Sequence, residues 1–304
     1  MPLAPLQVRV PGSTSNVGPG FDAFGIAVNL FLEVRWAPAD TTSVERRGPM
    51  QESLLAVGQD PIVRGMRRAA MLAGRSVPPG HLTVSAPFPP GRGLGASGAG
   101  LVAGLVLGAR LCGREIARDV LLREAIELEG NPENAVAALL GGAHWSLRLA
   151  DGSFEHLTVD LHRDLRFLFV LPPYPLDTRR AREILPPTVP FAAAAAQAQR
   201  AGALAAALRT LKPQLVRAAL EDALVVAPRL KLLTGVGKVI EFAYEAGALG
   251  ATLSGSGSGV LVLARRGDVD ALELRLKRRV ERLWGESGMV LRAAPEDEGA
   301  RLKR

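Results

Sequence analysis

The sequence predicts two α+β domains that meet near residue 160, and three observations predict it. Its 304 residues suit two hydrophobic cores, at roughly 150 residues per domain. Strand-like and helix-like segments mix along the chain without regular βαβ repeats, which argues against a doubly wound sheet. A strongly apolar strand, Leu165–Leu171, opens the second half, so the expected domains are residues 1–160 and 161–304.

Each element follows from its local pattern. Residues 8–36 read as strand, polar loop, strand, with the turn-rich segment 11–20 (PGSTSNVGPG) as the loop. Residues 61–73 carry Ile62, Met66, Ala69, Ala70 and Ala73 at helical spacing, whereas residues 81–86 alternate like a strand. The Pro/Gly loop that starts at Pro87 opens a helix of small and apolar residues ending at Leu111. Next come a helix over 114–129, the turn Gly130-Asn131-Pro132-Glu133, a short helix to Leu140 and a strand over 143–149. Asp151-Gly152 suits a hairpin turn into a strand over 154–159. Beyond Leu171, helices are expected over 179–185, 192–208, 213–226 and 236–246, with a strand over 259–264, a charged helix over 269–284 and a last strand over 289–293. The alanine run at 192–196 is read as helix rather than linker, because alanine is the best helix former.

Composition narrows the class. Hydrophobic residues make up 48% and charged residues 22% of the chain, a globular balance rather than a disordered one. The single cysteine, Cys112, has no internal disulfide partner, and the four histidines show no zinc-type spacing. The first ten residues lack a signal-peptide layout, and the low-charge stretch 94–109 is glycine-rich and shorter than a bilayer span. A cytoplasmic protein without a membrane partner is expected. Thirty-seven Lys and Arg against 30 acids give a net charge of +7, which attracts polyanions large or small. The 14 aromatics are not interleaved with the basic residues, so no nucleic-acid partner is expected.

The strongest chemical signal is Gly91-Arg92-Gly93-Leu94-Gly95-Ala96-Ser97-Gly98, between a strand and a helix. Close glycines let backbone N–H groups approach an anion, the helix adds its positive end, and a serine hydroxyl can donate to phosphate or ligate magnesium. A tight strand-to-helix turn would use the same glycines for packing. No Gly-Lys-Ser/Thr follows, so the segment is not a Walker A loop. Two further polar, glycine-rich segments, 11–22 and 252–259, suggest a site shared by three loops.

These three segments carry a resemblance. Val10-Pro11-Gly12-Ser13-Thr14-Ser15-Asn16-Val17-Gly18-Pro19-Gly20-Phe21-Asp22, Pro90-Gly91-Arg92-Gly93-Leu94-Gly95-Ala96-Ser97 and Gly250-Ala251-Thr252-Leu253-Ser254-Gly255-Ser256-Gly257 resemble, in order and spacing, motifs one to three of the GHMP kinases. Asn16, the Gly-Pro-Gly-Phe-Asp ending and Arg92 resemble the homoserine kinase branch in particular. The resemblance implies a GHMP-type α+β fold, with a βαβ-type nucleotide domain followed by a ferredoxin-like domain. It also implies ATP as co-substrate, Mg2+ as cofactor, L-homoserine as acceptor, a role in threonine biosynthesis and a homodimer.

Site roles follow from the same resemblance. Pro90, Gly91, Arg92, Gly93, Leu94, Gly95, Ala96 and Ser97 would form the ATP phosphate loop, with Ser97 and Glu129 on magnesium and Glu127 a weaker carboxylate candidate. Residues 60–68 would lie near adenine. Asn16, Asp22, Asn131, Asn134, Thr178, Arg182 and Arg229 would contact the acceptor, Asp22 by its charge suiting the ammonium. Asp22, Ser97 and Glu129 are the candidate catalytic groups, and Ser254, Gly255, Ser256 and Gly257 of motif three would support the site. Two guanidiniums suit one carboxylate through charge-assisted hydrogen bonds.

The chain departs from the family pattern at Asn131, where a histidine is usual, at Glu133 in place of aspartate, and at Ala96 in place of a first serine. Competing readings are a GHMP kinase for another small alcohol such as mevalonate, and a nucleotide- or nucleic-acid-binding module without turnover.

Overall fold

In a computed structural model the described residues are 4–53 and 55–303. The outer ends of the two expected domains, residues 1–3 and 304, lie outside them.

The α+β expectation holds, with two sheets and helices packed on both. The first sheet takes β1 (Leu6–Ser15), β2 (Phe24–Pro38), β3 (Ser43–Arg47), β4 (Gly80–Ser85), β5 (Ala143–Arg148) and β6 (Phe154–Thr158). Its path runs β11-β1-β2-β4-β3, where β11 (Arg301–Lys303) is the chain's last strand, and β2 also pairs with the β5–β6 hairpin. Among the described residues only β3 and β4 are parallel, joined across α1 (Pro61–Ala73) as a βαβ unit. The other first-half helices are α2 (Ala96–Leu111), α3 (Arg118–Glu129) and α4 (Pro132–Leu140). Small residues on α2 let α1 come down to backbone contact: a Cβ on Gly104 would lie 2.0 Å from the Ile62 carbonyl oxygen.

The second sheet is wholly antiparallel in the order β10-β7-β9-β8. It comprises β7 (Leu165–Leu171), β8 (Gly250–Leu253), β9 (Val260–Arg265) and β10 (Met289–Ala293). Five helices lie between β7 and β8: α5 (Thr178–Glu183), α6 (Phe191–Thr210), α7 (Pro213–Leu220), α8 (Val226–Leu230) and α9 (Val236–Glu245). With α10 (Val269–Trp284) between β9 and β10, the connectivity is that of a ferredoxin-like βαββαβ unit.

Strand β7 shows how one apolar run serves two cores. Alternate residues point to opposite faces, so Phe167, Phe169 and Leu171 join the large core of the first sheet, while Leu168 and Val170 pack with Val236, Val239 and Leu276 of α9 and α10. The sheets are thereby joined through one continuous apolar interior, and the cleft that holds the polar loops opens beside it.

Three local expectations need correction. Residues 11–15 belong to β1 rather than to the loop: they pair with β2, with a register shift at Pro11/Gly12 that accommodates the proline. The helix expected over 213–226 is broken between α7 and α8, where the Asp222 carboxylate accepts from the Leu224 and Val225 N–H groups at 2.9 and 2.8 Å and holds a turn. The helix expected from residue 114 begins at Arg118.

Candidate active site

The loop after β1 closes on itself. Asn16 and Asp22 both adopt left-handed backbone, with φ of 55° and 54°, a conformation that Asn and Asp tolerate better than most residues. The Asn16 side-chain oxygen accepts from the Asp22 N–H at 2.7 Å and fixes the loop's width.

The other two loops lock onto it. Ser254 Oγ donates to the Gly93 carbonyl at 2.6 Å, so the 2.9 Å contact with Thr14 Oγ1 is one in which Thr14 donates. Backbone bonds add Gly255 N–H to Ser15 O at 2.8 Å and Ser13 N–H to Leu94 O at 3.1 Å. Ser13 Oγ also donates to the Asn134 side-chain oxygen at 2.8 Å. The glycine at 93 is required by this crossing: it has φ of 75°, and a Cβ there would fall 1.8 Å from the Ser254 carbonyl oxygen. Motifs one, two and three thus form one hydrogen-bonded seam.

The seam floors a cavity of about 650 Å³, within the range of small-ligand sites. Its wall includes Asn16, all of Pro90–Ser97, Glu129, Asn131, Asn134, Thr178, Arg182, Arg229, Gly255 and Ser256. Asp22, Ser254 and Gly257 are not on that wall. Leu32, Met50, Leu55, Ile62, Val84 and Leu128 give the cavity an apolar portion beside Asp60, which caps α1 through the Ile62 N–H and pairs with Arg46. Of these six, Ile62 falls in the stretch 60–68 expected near adenine; the other five were not singled out from the sequence, since only the three-dimensional path of β2, β4, α3 and the chain around Met50 and Leu55 brings them together.

At the start of α2, Gly95 is the N-cap, and the first-turn N–H groups after it lack intrahelical acceptors, as at any helix start. Ser97 Oγ donates to Glu129 Oε2 at 3.0 Å. Burial raises the Glu129 carboxyl above the usual range, with the Ser97 hydrogen bond and Arg64 opposing. A half-buried carboxylate and a hydroxyl beside a phosphate-type loop are hard oxygen donors, and they fit Mg2+, which takes one or two carboxylates plus substrate oxygens. Glu127, by contrast, is exposed and paired with Arg68.

Arg92 has a different environment from its backbone. Its guanidinium is 2% exposed, donates to the Pro172 and Pro90 carbonyls at 3.0 Å each, and pairs with Glu52 at 2.8 Å. The side chain braces the loop from within.

Two arginines share the ring of Phe21. Arg182 of α5 lies 5.2 Å and Arg229 of α8 5.3 Å from its centroid, within cation–π range. Arg182 makes a bidentate pair with Asp22, at 2.9 and 2.5 Å. Arg229 is 2% exposed and donates to the Ala181 and Gly255 carbonyls at 3.0 and 3.3 Å. Burial brings its pKa down to about 10, with Arg182 adding to the drop and Asp22, Asp222 and Glu133 resisting it. An anion at this place relieves a concentration of positive charge.

Two matching regions cover both halves of the chain: residues 62–142 match the GHMP kinases N terminal domain and residues 192–282 the GHMP kinases C terminal domain. Homoserine kinase of Deinococcus radiodurans is 36% identical over 86% of this chain and 84% of its own length. Homoserine kinase of Thermus thermophilus is 38% identical over 86% of this chain and 88% of its own. The chain belongs to the homoserine kinase family of GHMP kinases. The crystal structure of homoserine kinase from Cytophaga hutchinsonii superposes with a TM-score of 0.83 at 25% identity, covering 99% of this chain and 98% of that one.

Within a homoserine kinase family member, the histidine environments matter because Asn131 stands where the family pattern has a histidine. His81 contacts Ser43 and Glu45, His144 Nε2 faces the Gly141 carbonyl, His156 contacts Ser146, and His162 accepts from the Asp164 N–H. None of the four lines the cavity. Glu133 does line it, though sequence reasoning noted that residue only as a departure from the family pattern. Its signal was the placement of a carboxyl in the first turn of α4, between the candidate acceptor residues Asn131 and Asn134.

No helix among the described residues is long and apolar enough to cross a membrane.

Proposed function

We propose that this protein transfers the γ-phosphoryl group of ATP to the side-chain hydroxyl of L-homoserine, giving O-phospho-L-homoserine and ADP, in the cytoplasm. One observation carries the reading: the paired guanidiniums of Arg182 and Arg229 over Phe21 share a cavity wall with the phosphate-type loop and Glu129. That arrangement suits an acceptor with a carboxylate held opposite a nucleotide triphosphate. The names of the related proteins agree with it.

In this reading the apolar portion at Leu32, Met50 and Val84 takes the base, and the N–H groups opening α2 take the phosphates. Ser97 and Glu129 would hold Mg2+, which when bound neutralises charge on the phosphate oxygens. Arg229, rigid and buried, takes the acceptor carboxylate and fixes the distance of its hydroxyl from the γ-phosphorus. The hydroxyl oxygen forms the new O–P bond as the bond to the β,γ-bridging oxygen breaks, and the hydroxyl proton is released. Phosphoryl transfer runs through a loose transition state, so positioning and charge neutralisation supply most of the acceleration. No imidazole base lies on the cavity wall, and this chemistry does not call for a strong one.

The test is phosphorus NMR of the product formed from Mg-ATP and L-homoserine. An O-phosphomonoester resonance with stoichiometric ADP is expected, and its loss in Arg229→Ala at sub-saturating acceptor. ATP consumption without a phosphomonoester contradicts the proposal.

A further inference from the structure

The charged side chains on the cavity wall fall into two sets. Arg46 pairs with Asp60, Arg92 with Glu52, and Arg182 with Asp22, which is itself off the wall. Arg64, Arg229, Glu129, Glu133 and Asp177 line the wall without an ion pair among the described residues. Arg229, Glu133 and Asp177 belong to the acceptor end. Arg229 lies over Phe21, Glu133 stands between Asn131 and Asn134 in the sequence, and Asp177 Oδ1 caps α5 by accepting from the Arg179 and Arg180 N–H groups at 2.9 and 3.1 Å. Arg64 and Glu129 remain, and they stand together at the phosphate end.

Arg64 is exposed, one turn into α1, within the stretch expected near adenine. Its guanidinium turns instead to the metal side: Nη2 donates to the Leu128 carbonyl at 3.3 Å, one residue before Glu129, and its charge pulls the Glu129 carboxyl down against burial. The starts of α1 and α2 touch there, since a Cβ on Gly100 would lie 3.1 Å from Pro61 Cβ. Nε and Nη1 of Arg64 have no acceptor among the described residues. The phosphate loop lacks a free cation of its own. Its one charged side chain, Arg92, has all three nitrogens engaged by Pro172, Pro90 and Glu52, and among the described residues no lysine is on the wall. A bound triphosphate carries more negative charge than one Mg2+ and a helix N-terminus neutralise, so a further cation is called for.

We propose that Arg64 supplies that cation, donating to the β- and γ-phosphate oxygens of ATP. The assignment rests on the functional reading above and adds a nucleotide contact to it. P-loop enzymes place a lysine within the loop for the same task. This chain brings a guanidinium from a neighbouring helix and holds it near the Glu129 carboxylate through the bond to Leu128. An arginine keeps its charge at every working pH, and its planar fork takes two oxygens at once. In a loose transition state negative charge builds on the departing ADP, so the guanidinium contributes to rate as well as to binding.

The experiment measures, by titration calorimetry, Kd for the Mg2+ complex of β,γ-imido-ATP and Kd for adenosine, with initial rates alongside. In Arg64→Gln the Kd for the imido-triphosphate is expected to rise roughly ten- to a hundredfold, the worth of hydrogen bonds to a charged group, while that for adenosine stays at the wild-type value. kcat falls, and KM for L-homoserine holds. Arg64→Lys, which keeps the charge, recovers much of the triphosphate affinity. Equal weakening of both ligands marks a structural role through α1 and overturns the proposal, as does an unchanged triphosphate Kd with wild-type turnover. A loss confined to KM for L-homoserine moves Arg64 to the acceptor and overturns it too. All three results leave the kinase reading intact. Wild-type protein that binds adenosine but neither binds the imido-triphosphate nor releases ADP overturns the functional reading itself. Arg64 is exposed and Asp60 still caps α1 in both variants, so folding is retained, and equal Tm values check it.

Discussion

Replacing Ser254 with alanine tests whether the third motif holds the site together rather than touching the nucleotide. Ser254 is fully buried, donates to the Gly93 carbonyl at 2.6 Å and accepts from Thr14 at 2.9 Å. The substitution leaves two buried polar groups short of a partner, at about 1–3 kcal/mol for each group stranded, and rotation of the Thr14 hydroxyl recovers part of it, so a net loss of about 3 kcal/mol is expected. At about 2.1 cal/mol/K per residue, 304 residues give an unfolding entropy of about 0.64 kcal/mol/K at the midpoint, so Tm falls by about 5 °C. Calorimetry without nucleotide reads the shift. Because Thr14→Val removes one of the same bonds, the double variant should lose clearly less than the sum of the two single losses. A Tm within about 1 °C of wild type, or strictly additive losses, refutes the seam.

The remaining predictions concern chemistry and pH. Glu129→Gln should lower kcat by roughly a hundredfold or more, in keeping with removal of a group that stabilises transition-state charge, and should weaken the dependence of rate on Mg2+ concentration; a Mg2+ titration superimposable on wild type contradicts the assignment. Arg229→Ala should raise KM for the acceptor by roughly ten- to a hundredfold with a much smaller effect on KM for ATP, measured by initial rates. The Glu133 carboxyl, with a folded pKa of about 7 against 4.5 for the unfolded chain, binds its proton more tightly when folded. Its contribution is therefore full below pH about 4.5 and is lost as pH rises through about 7, a swing of about 3 kcal/mol at most. Denaturant unfolding of wild type and Glu133→Gln should show the wild-type advantage shrinking across that window, and a constant difference refutes the sign.

Much of the fold was legible because its pattern is local. The charged helix Val269–Trp284, the helix Pro61–Ala73 and the strands Leu165–Leu171 and Met289–Ala293 have the bounds read from periodicity alone. What escaped depends on partners far along the chain. Strand β3, Ser43–Arg47, is polar, short and at a sheet edge, and is extended because it pairs with β4 across α1. Strand β11 is three residues long and is defined by its pairing with β1, almost the whole chain away. Residues 11–15 carry a proline, glycine, serines and threonine that read as loop, yet pairing with β2 holds them in a strand.

The site divides in the same way. The glycine-rich loops and Glu129 carry their chemistry in short contiguous motifs. The bidentate contact of Asp22 with Arg182 spans 160 residues, and the sequence offered only that an aspartate suits an ammonium. The burial of Glu133 depends on Gly25 of β2, where a Cβ would stand 2.5 Å from the Glu133 carbonyl oxygen. No window of sequence contains both.

The central claim is that the cavity selects an amino-acid alcohol for phosphorylation by ATP. Its most direct test is ADP release with Mg-ATP across L-homoserine, D-homoserine, L-threonine, L-serine and mevalonate, each followed to initial rate. The account predicts kcat/KM highest for L-homoserine by a wide margin over the D-enantiomer and mevalonate, since only the L-amino acid places carboxylate, ammonium and hydroxyl together on this wall. Equal or faster turnover of mevalonate, or ADP release that ignores the acceptor, would contradict it.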